Sequence, residues 1–482
     1  MDQSRAPYFE ALRSYLEERN LTFHVPGHQH GLAVPQELST LIEQWGLAAD
    51  ITEVFGIDDI HRPSLQCSHA QHLAAELYGA DHTFFLVNGS TVGNQAMFLS
   101  TLGPDASVIM PHNSHRSAYA GLLLSGARAH FFSTDFHSRL LCSLPPTVEQ
   151  AVAAMDEFPS ARAIFLTTPT YHGACAPIRE IVSQAHKRKM LVLVDEAWGS
   201  HLRFWDGPTS AVEAGADLVV QSSHKLTPAL TQGALLHLNG FPPAKVQNVL
   251  THLQTSSPSS LIVASLDCAR REMARCGREV WSSAIGLAFC LQQRIDALDG
   301  VNCFLSPNGW DACRLIVEAT PRGLSGYQVE KILRQKHKIQ VEMSEAHQVI
   351  ILVTPGHTPE HGDSLVSALS ALPYQKPPFF SQELREMLLS LWAPQRRFET
   401  PEFTVREVFF SAKRSVSLEK AVDQTSAELL YCYPPGVPFV YPGQRFSIEM
   451  LQLIRTGRRL GGSVDGGVDP NLESVLILDR KK

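Results

Sequence analysis

The stretch VVQSSHKLTPALTQGALL, residues 219–236, begins as an apolar strand and breaks into two serines, a histidine and a lysine before apolar residues resume. A surface lysine explains little about that setting. An amine meant to form a covalent bond, Lys225, explains it better, with hydroxyls just before it and His224 beside it. Three other stretches carry matching chemistry. VLVDEAWG sets Asp195 at the end of a strongly apolar strand, followed by Ala197 and Trp198. NGST, residues 88–91, ends one apolar run and opens a helical one, with Ser90 and Thr91 at the junction. HNSHRS, residues 112–117, offers His115 after another strand.

A lysine that bonds covalently most often takes an aldehyde cofactor, and pyridoxal phosphate is the commonest. That group needs donors for its phosphate, an anion for its ring nitrogen and partners for its ring faces. Backbone N–H groups at a helix start, with the hydroxyls of Ser90, Thr91 and Ser222, suit the phosphate. The same serine and threonine would also suit a helix cap with no ligand. Asp195 could pair with a protonated ring nitrogen and keep the ring an electron sink. Left unpaired and buried, it would be costly. Ala197 could cover one ring face and His115 the other. VDEA also has the look of a metal-binding strand of ATPases, but no G-x-x-x-x-G-K-[ST] phosphate loop occurs in the chain, which argues against that use.

The elements that must position these residues can be read from periodicity. From 68 to 300, short all-apolar runs such as HTFFLV, SVIMP, RAIFLTTP, MLVLVDEA and DLVVQSS alternate with helical segments. That pattern predicts an α/β domain with a mainly parallel sheet covered on both faces. Ligands gather where the strands of such sheets end, and NGST, HNSHR, TTPTYHG, DEAWGSH and QSSHK each follow a strand. Residues 1–67 form an N-terminal segment whose first twenty residues read as an amphipathic helix. Residues 301–374, with ACRLIVEAT, SGYQVEKILRQKH and VIILVTPG, predict a smaller α/β domain. ALPYQKPPFFS reads as a linker into a C-terminal domain, 375–482, and the glycine-rich GRRLGGSVDGGVDP within it as a loop or turn.

With 482 residues the chain is too long for one core. Its 44% hydrophobic and 18% charged residues are ordinary for a soluble globular protein, and no run of 18 apolar residues predicts a membrane span. The polar N-terminus lacks the pattern of a signal peptide. A net charge of −7 gives no reason to expect nucleic acid or an anionic membrane as partner. Nine scattered cysteines with no C-x-x-C pair predict no zinc ribbon and no dithiol redox site, and point to a reducing, cytoplasmic compartment; no metal is expected at the site. Cys142, Cys268, Cys290 and Cys313 lie in apolar stretches and are expected to be inert core thiols.

FHVPGHQHG, DDIHRP, AAELYGADHTFFLVNGST, HNSHRS, PTYHG, VDEAWGSH, SSHK, ASLD and YPPGVP occur in this order between residues 22 and 443. Together they resemble the bacterial ornithine/lysine/arginine decarboxylases, pyridoxal phosphate-dependent enzymes of fold type I, the aspartate-aminotransferase fold. The resemblance is to the short form, without a receiver-like N-terminal domain. It implies decarboxylation of lysine, ornithine or arginine, with the cofactor held by Lys225, paired with Asp195, stacked by His115 and bound at its phosphate by Ser90, Thr91 and Ser222. His224 would orient the cofactor or relay a proton. The resemblance further implies a homodimer, or a higher even oligomer, with the active site at the interface. Ser257, in QTSSPSS, would then reach the phosphate from the partner subunit. Asp58, Asp59 and Glu428 are candidates for the distal cation of a basic amino acid substrate, and surface or structural carboxylates are the commoner use of such residues. The chain departs from the family at Gln29 and His30, where basic residues are usual, lacks the glycine usual after Pro63, and carries Trp198 where short members often have histidine. The competing readings are another fold type I reaction, such as aldol cleavage or transamination with Arg314 or Arg322 holding a carboxylate, and a catalytically silent regulatory homologue.

Overall fold

Strands Leu191–Asp195 and Leu218–Gln221 are buried almost throughout, and this is why their sequences are apolar without alternation. They lie inside an eight-stranded sheet. Its order is Phe398–Glu399, Arg128–Phe132, Ser107–Pro111, Ala163–Thr167, Leu191–Asp195, Leu218–Gln221, Ala234–Leu238 and His82–Leu86. The run from Arg128–Phe132 to Leu218–Gln221 pairs in parallel. The other three strands pair antiparallel at its two sides. The architecture is therefore α/β with a mainly parallel central sheet. The protein is seen here as a computed structural model describing residues 5–376, 385–386, 389, 398–432, 436–459 and 463–480.

The chain divides into two units. The larger comprises Pro26–Ser282, Pro307–Asp311 and Gln382–Lys482 and contains the sheet. Its core is built by Leu86, Phe98, Met110, Phe165, Leu193 and Val220 with their neighbours, all nearly inaccessible to solvent. Each such side chain contributes roughly 1.5–3 kcal/mol by leaving water. Helix Gly89–Thr101 lies close on the sheet because residue 93 is glycine. A Cβ there would come within 2.4 Å of Val220 Cγ2.

The C-terminal part of this unit has a core of its own, including Leu430, Val440, Phe446, Ile454 and Ile477. Strand Lys413–Ser417 pairs with Ser474–Leu478, and Leu430–Cys432 pairs with both Val437–Val440 and Val464–Asp465. The glycine-rich tail thus does more than turn: Val464–Asp465 fills the free edge of Leu430–Cys432, a short pairing that its glycines concealed. Of YPPGVP, residues 433–435 lie outside the described residues, as do residues 377–381 of the expected linker.

The smaller unit comprises Met1–Val25, Ser283–Ser306 and Ala312–Ser381. Its four-stranded sheet, Asn302–Cys303, Arg314–Glu318, Val349–Leu352 and Met343–Ser344, is antiparallel throughout. Helices Gly326–His337 and Pro359–Ser370 both start in capping boxes, made by Ser325 with Gln328 and Thr358 with His361. Strand Leu21–Phe23, from the N-terminal segment, pairs in parallel with Ile339–Val341. Helix Pro7–Glu17 has no buried residue.

The cysteines correct one expectation. Cys142 and Cys313 are buried, but Cys268 is only half-buried and Cys290 is exposed, on the solvent side of helix Ser260–Asp296. An apolar sequence neighbourhood does not fix the direction in which a helical residue points. No helix among the described residues is long and apolar enough to cross a membrane.

Candidate active site

Lys225 sits in the short helix Ser223–Leu226, directly after strand Leu218–Gln221. Its Nζ lies 4.1 Å from the centroid of the Trp198 ring. An ammonium over an indole face gains roughly 0.5–2 kcal/mol. Tyr171 meets the same indole edge-on, with centroids 4.9 Å apart. The main chain around the lysine is held from another direction, since Gly27 N–H donates to the His224 carbonyl at 2.9 Å. A Cβ on Gly27 would come within 3.0 Å of the main chain of Lys225, Leu226 and Thr227.

His224 donates from Nδ1 to the Gly233 carbonyl at 3.0 Å. A carbonyl can only accept, so Nδ1 carries the proton and Nε2 presents a lone pair when the ring is neutral. Burial pushes the ring down to about 4, against the Gly233 carbonyl and with help from the Lys225 charge, so it is neutral at pH 7.

Asp195 ends strand Leu191–Asp195 and is 4% exposed. Its Oδ2 accepts from Asn94 Nδ2 at 2.8 Å and its Oδ1 from the backbone N–H of Ala197 at 3.0 Å. The same Asn94 nitrogen donates to Ser117 Oγ at 2.8 Å, and Ser117 Oγ lies 2.8 Å from His115 Nδ1. His115 caps helix Arg116–Ser125, its Nδ1 accepting from Ser117 N–H at 3.3 Å. A chain of polar contacts therefore joins Asp195 to His115 through Asn94 and Ser117. Burial lowers the His115 ring to about 4, opposed by Asp195 and assisted by Lys225 and Arg116. Neutral and accepting at Nδ1, the ring carries its proton on Nε2.

Helix Gly89–Thr101 begins at Gly89, with φ +73°, after Asn88. The first-turn N–H groups of any helix lack intrahelical acceptors. Ser222 Oγ donates to Ser90 Oγ at 2.8 Å, which brings the hydroxyl before the lysine to the start of this helix. Ser222 is buried, Ser90 half-buried and Thr91 exposed.

The remaining candidates sit in different settings. Ser257 is exposed and shares a hydrogen bond with Thr255 Oγ1 at 3.3 Å. Thr255 N–H donates to Asn88 Oδ1 at 3.3 Å, so this run lies beside the start of helix Gly89–Thr101 of its own chain. Asp58 accepts from the backbone N–H groups of Asp59, Ser64, Leu65 and Cys67 at 2.8–3.1 Å and closes its loop onto the helix beginning at Gln66. Asp59 Oδ1 accepts from His61 N–H at 2.7 Å. Glu428 is 4% exposed within the C-terminal part, with Oε1 accepting from Val468 N–H at 2.8 Å. Burial raises its carboxyl above the usual range. Asn94, Ser117 and Tyr171 are absent from the sequence-derived set. Asn94 could have been noticed as a polar residue on the apolar stripe of a helix, one turn after Ser90.

This arrangement fits pyridoxal phosphate. A carboxylate oxygen has room for more than one donor, so Asp195 can accept a ring N–H besides Asn94 and Ala197. An amine, a neutral histidine and a helix start with hydroxyls surround the same strand ends. Residues 6–311 match the family described as Orn/Lys/Arg decarboxylase, major domain, and residues 382–463 match its C-terminal domain. The chain is 32% identical to an arginine decarboxylase of Bacillus subtilis, over 100% of this chain and 99% of that one. It is 33% identical to an arginine decarboxylase of Halalkalibacterium halodurans, over 99% and 98%. Lysine decarboxylase A from Pseudomonas aeruginosa has the same fold, with TM-score 0.75 at 18% identity over 98% of this chain and 80% of that one. On its matched domains and its full-length relatives, the chain belongs to the Orn/Lys/Arg decarboxylase family.

Proposed function

We propose that this protein is a pyridoxal phosphate-dependent decarboxylase that acts on arginine, with Lys225 as the covalent anchor of the cofactor. Decarboxylation of a basic amino acid follows from the family. Arginine is supported by the names of the relatives that align end to end. The observation that carries the site is the polar chain Asp195–Asn94–Ser117–His115, set beside the strand end that bears Lys225.

When bound, pyridoxal phosphate supplies an aldehyde carbon that captures amines and a ring that accepts the electron pair left by the departing carboxylate. In this reading the protein does the rest. Asp195, oriented by two donors, holds the proton on the ring nitrogen. His115 covers a ring face and Ala197 the other. Ser90, Thr91 and Ser222 donate to the phosphate at the start of helix Gly89–Thr101. Lys225 Nζ returns a proton to Cα, and His224 Nε2 accepts or relays one beside it. Glu428 Oε2 has no hydrogen-bond donor among the described residues, whereas Asp58 is taken up by four backbone N–H groups, so Glu428 suits a guanidinium better than Asp58 does.

A transaminase would need an arginine for the α-carboxylate. Arg322 is unsuited, because its guanidinium donates to the carbonyls of Asp299, Leu369, Ser370 and Leu372. A homodimer is supported by the apolar residues left exposed along Trp45, Leu47, Phe55, Ile57 and Leu65. Sedimentation at falling concentration should show a dimer that dissociates. A monomer at all concentrations would remove Ser257 from the partner's site.

The function is tested on purified protein loaded with pyridoxal phosphate. Borohydride should fix the cofactor to Lys225, as read by peptide mass, and arginine should release carbon dioxide at least about tenfold more efficiently than lysine or ornithine. Lys225→Ala should lose about 10³-fold in rate, since anchoring and proton transfer fail together. A keto acid without carbon dioxide would favour transamination. A fixed cofactor with no turnover of any basic amino acid would favour a silent homologue.

A further inference from the structure

The C-terminal motif YPPGVP takes part in no step above, yet its surroundings touch the residue beside His115. Helix Arg116–Ser125 opens with His115 as its cap. The Arg116 N–H, in the first turn, has no acceptor within its helix. It donates instead to the Gly436 carbonyl at 3.1 Å. The Arg116 guanidinium donates to the Tyr431 hydroxyl at 2.7 Å and lies 5.2 Å over that ring. Gly436 has φ +79°, a left-handed conformation that side chains with a Cβ resist. The backbone there is thus shaped to turn a carbonyl toward the helix start.

We propose that Tyr431 and Gly436 are positioning residues for His115: the C-terminal part of the chain sets, through Arg116, the angle at which His115 faces the cofactor ring. This rests on the reading of His115 as a stacking residue. Its physical basis is that Arg116 is the next residue after His115, with its main chain held by Gly436 and its side chain by Tyr431. A shift of Tyr431 or Gly436 moves the first turn, and with it the backbone N–H of Ser117 that orients the His115 ring.

The test uses full-length Tyr431→Phe and Gly436→Ala, stripped of cofactor and titrated with pyridoxal phosphate. Tyr431→Phe should weaken cofactor affinity about threefold to tenfold, the scale of one hydrogen bond. It should also reduce the visible circular dichroism per bound cofactor, while the melting temperature of the unloaded protein moves by less than about 2 °C. Gly436→Ala should act in the same direction more strongly. In a His115→Phe background, which keeps a flat ring without the cap, Tyr431→Phe should change affinity by less than about twofold. Equal effects in both backgrounds, or unchanged affinity and dichroism in Tyr431→Phe, overturn the proposal. A protein that takes up no pyridoxal phosphate at all overturns the parent reading, and this one with it.

Discussion

At the scale of single residues, Asn94 decides how Asp195 stands. Its nitrogen donates to Asp195 and to Ser117, and it is 1% exposed, so no water can replace it without rebuilding the site. Asn94→Leu keeps the bulk and removes both bonds. A buried acceptor left without a donor costs about 1–3 kcal/mol, and more when it is charged. We expect cofactor affinity to fall at least about tenfold in titrations of the unloaded protein. Asn94→Asp tests the same geometry by charge. It would place a second carboxyl 2.8 Å from Asp195, where two carboxylates cannot both ionise cheaply. Affinity should then be poor at pH 9 and partly recover toward pH 6, as the new carboxyl takes up a proton and donates it to Asp195. A flat pH response would contradict this arrangement. The placement of Asp195 at a strand end and of Lys225 just after one was legible in the sequence because each follows an apolar run. Asn94 and Ser117 were not, because their role depends on two helices approaching one strand end, which no local pattern records.

At the scale of elements, two glycines set how closely the site's supports approach. Gly27, in PGHQHG, stands against the main chain of Lys225 to Thr227, and Gly93 lets helix Gly89–Thr101 lie on strand Leu218–Gln221. Gly27→Ala must push on backbone rather than on a flexible side chain, so the lysine segment has to move. We expect cofactor incorporation to drop, read as a smaller borohydride-fixed fraction at fixed cofactor concentration, with the fold retained by far-UV dichroism. Gly93→Ala forces the helix off Val220 and should destabilise by about 1–3 kcal/mol in urea, the usual cost of overpacking. The runs HTFFLV, SVIMP, RAIFLTTP, MLVLVDEA and DLVVQSS, and the polar loops at their ends, could be read from apolar clusters between helical segments, whereas strands Arg128–Phe132 and Ala234–Leu238 and the order of the strands in the sheet could not. The destination of Asp58 could not. DDIHRP announces an acid in a loop, but only the path of the backbone shows its oxygens closing that loop onto the helix at Gln66. The same blindness hid Val464–Asp465, whose pairing depends on an edge supplied more than thirty residues earlier.

At the scale of the whole molecule, buried histidines link stability to pH. His115 and His224 are lowered to about 4 and His237 to about 3, and in the smaller unit His357 is lowered to about 4, in each case chiefly by burial. In the unfolded chain such rings titrate near 6.5. Above that value both states leave them neutral, and their contribution is complete. As pH falls from 6.5 toward 4, the unfolded chain takes up protons that the native rings refuse. Stability must therefore decline, by at most about 1.4 kcal/mol per pH unit for each group. Glu196 works the other way. Burial raises it to about 7, against donors from Ala211, Gln221 and Ser210, so its contribution is full below its unfolded value and is lost as pH rises through 7. Four rings outweigh one carboxyl, so the net slope below pH 6.5 is toward unfolding in acid. His237 gives the sharpest check, because it is fully buried between Thr83 Oγ1 at 2.8 Å and Gln221 Oε1 at 3.3 Å. His237→Gln should melt earlier than the parent at pH 8, having lost a fitted ring. Between pH 6.5 and 4, however, its stability should fall less steeply, by about one proton's worth of slope. A parallel decline in both proteins, measured by urea unfolding across that range, would mean that His237 takes up its proton as readily in the native fold as outside it.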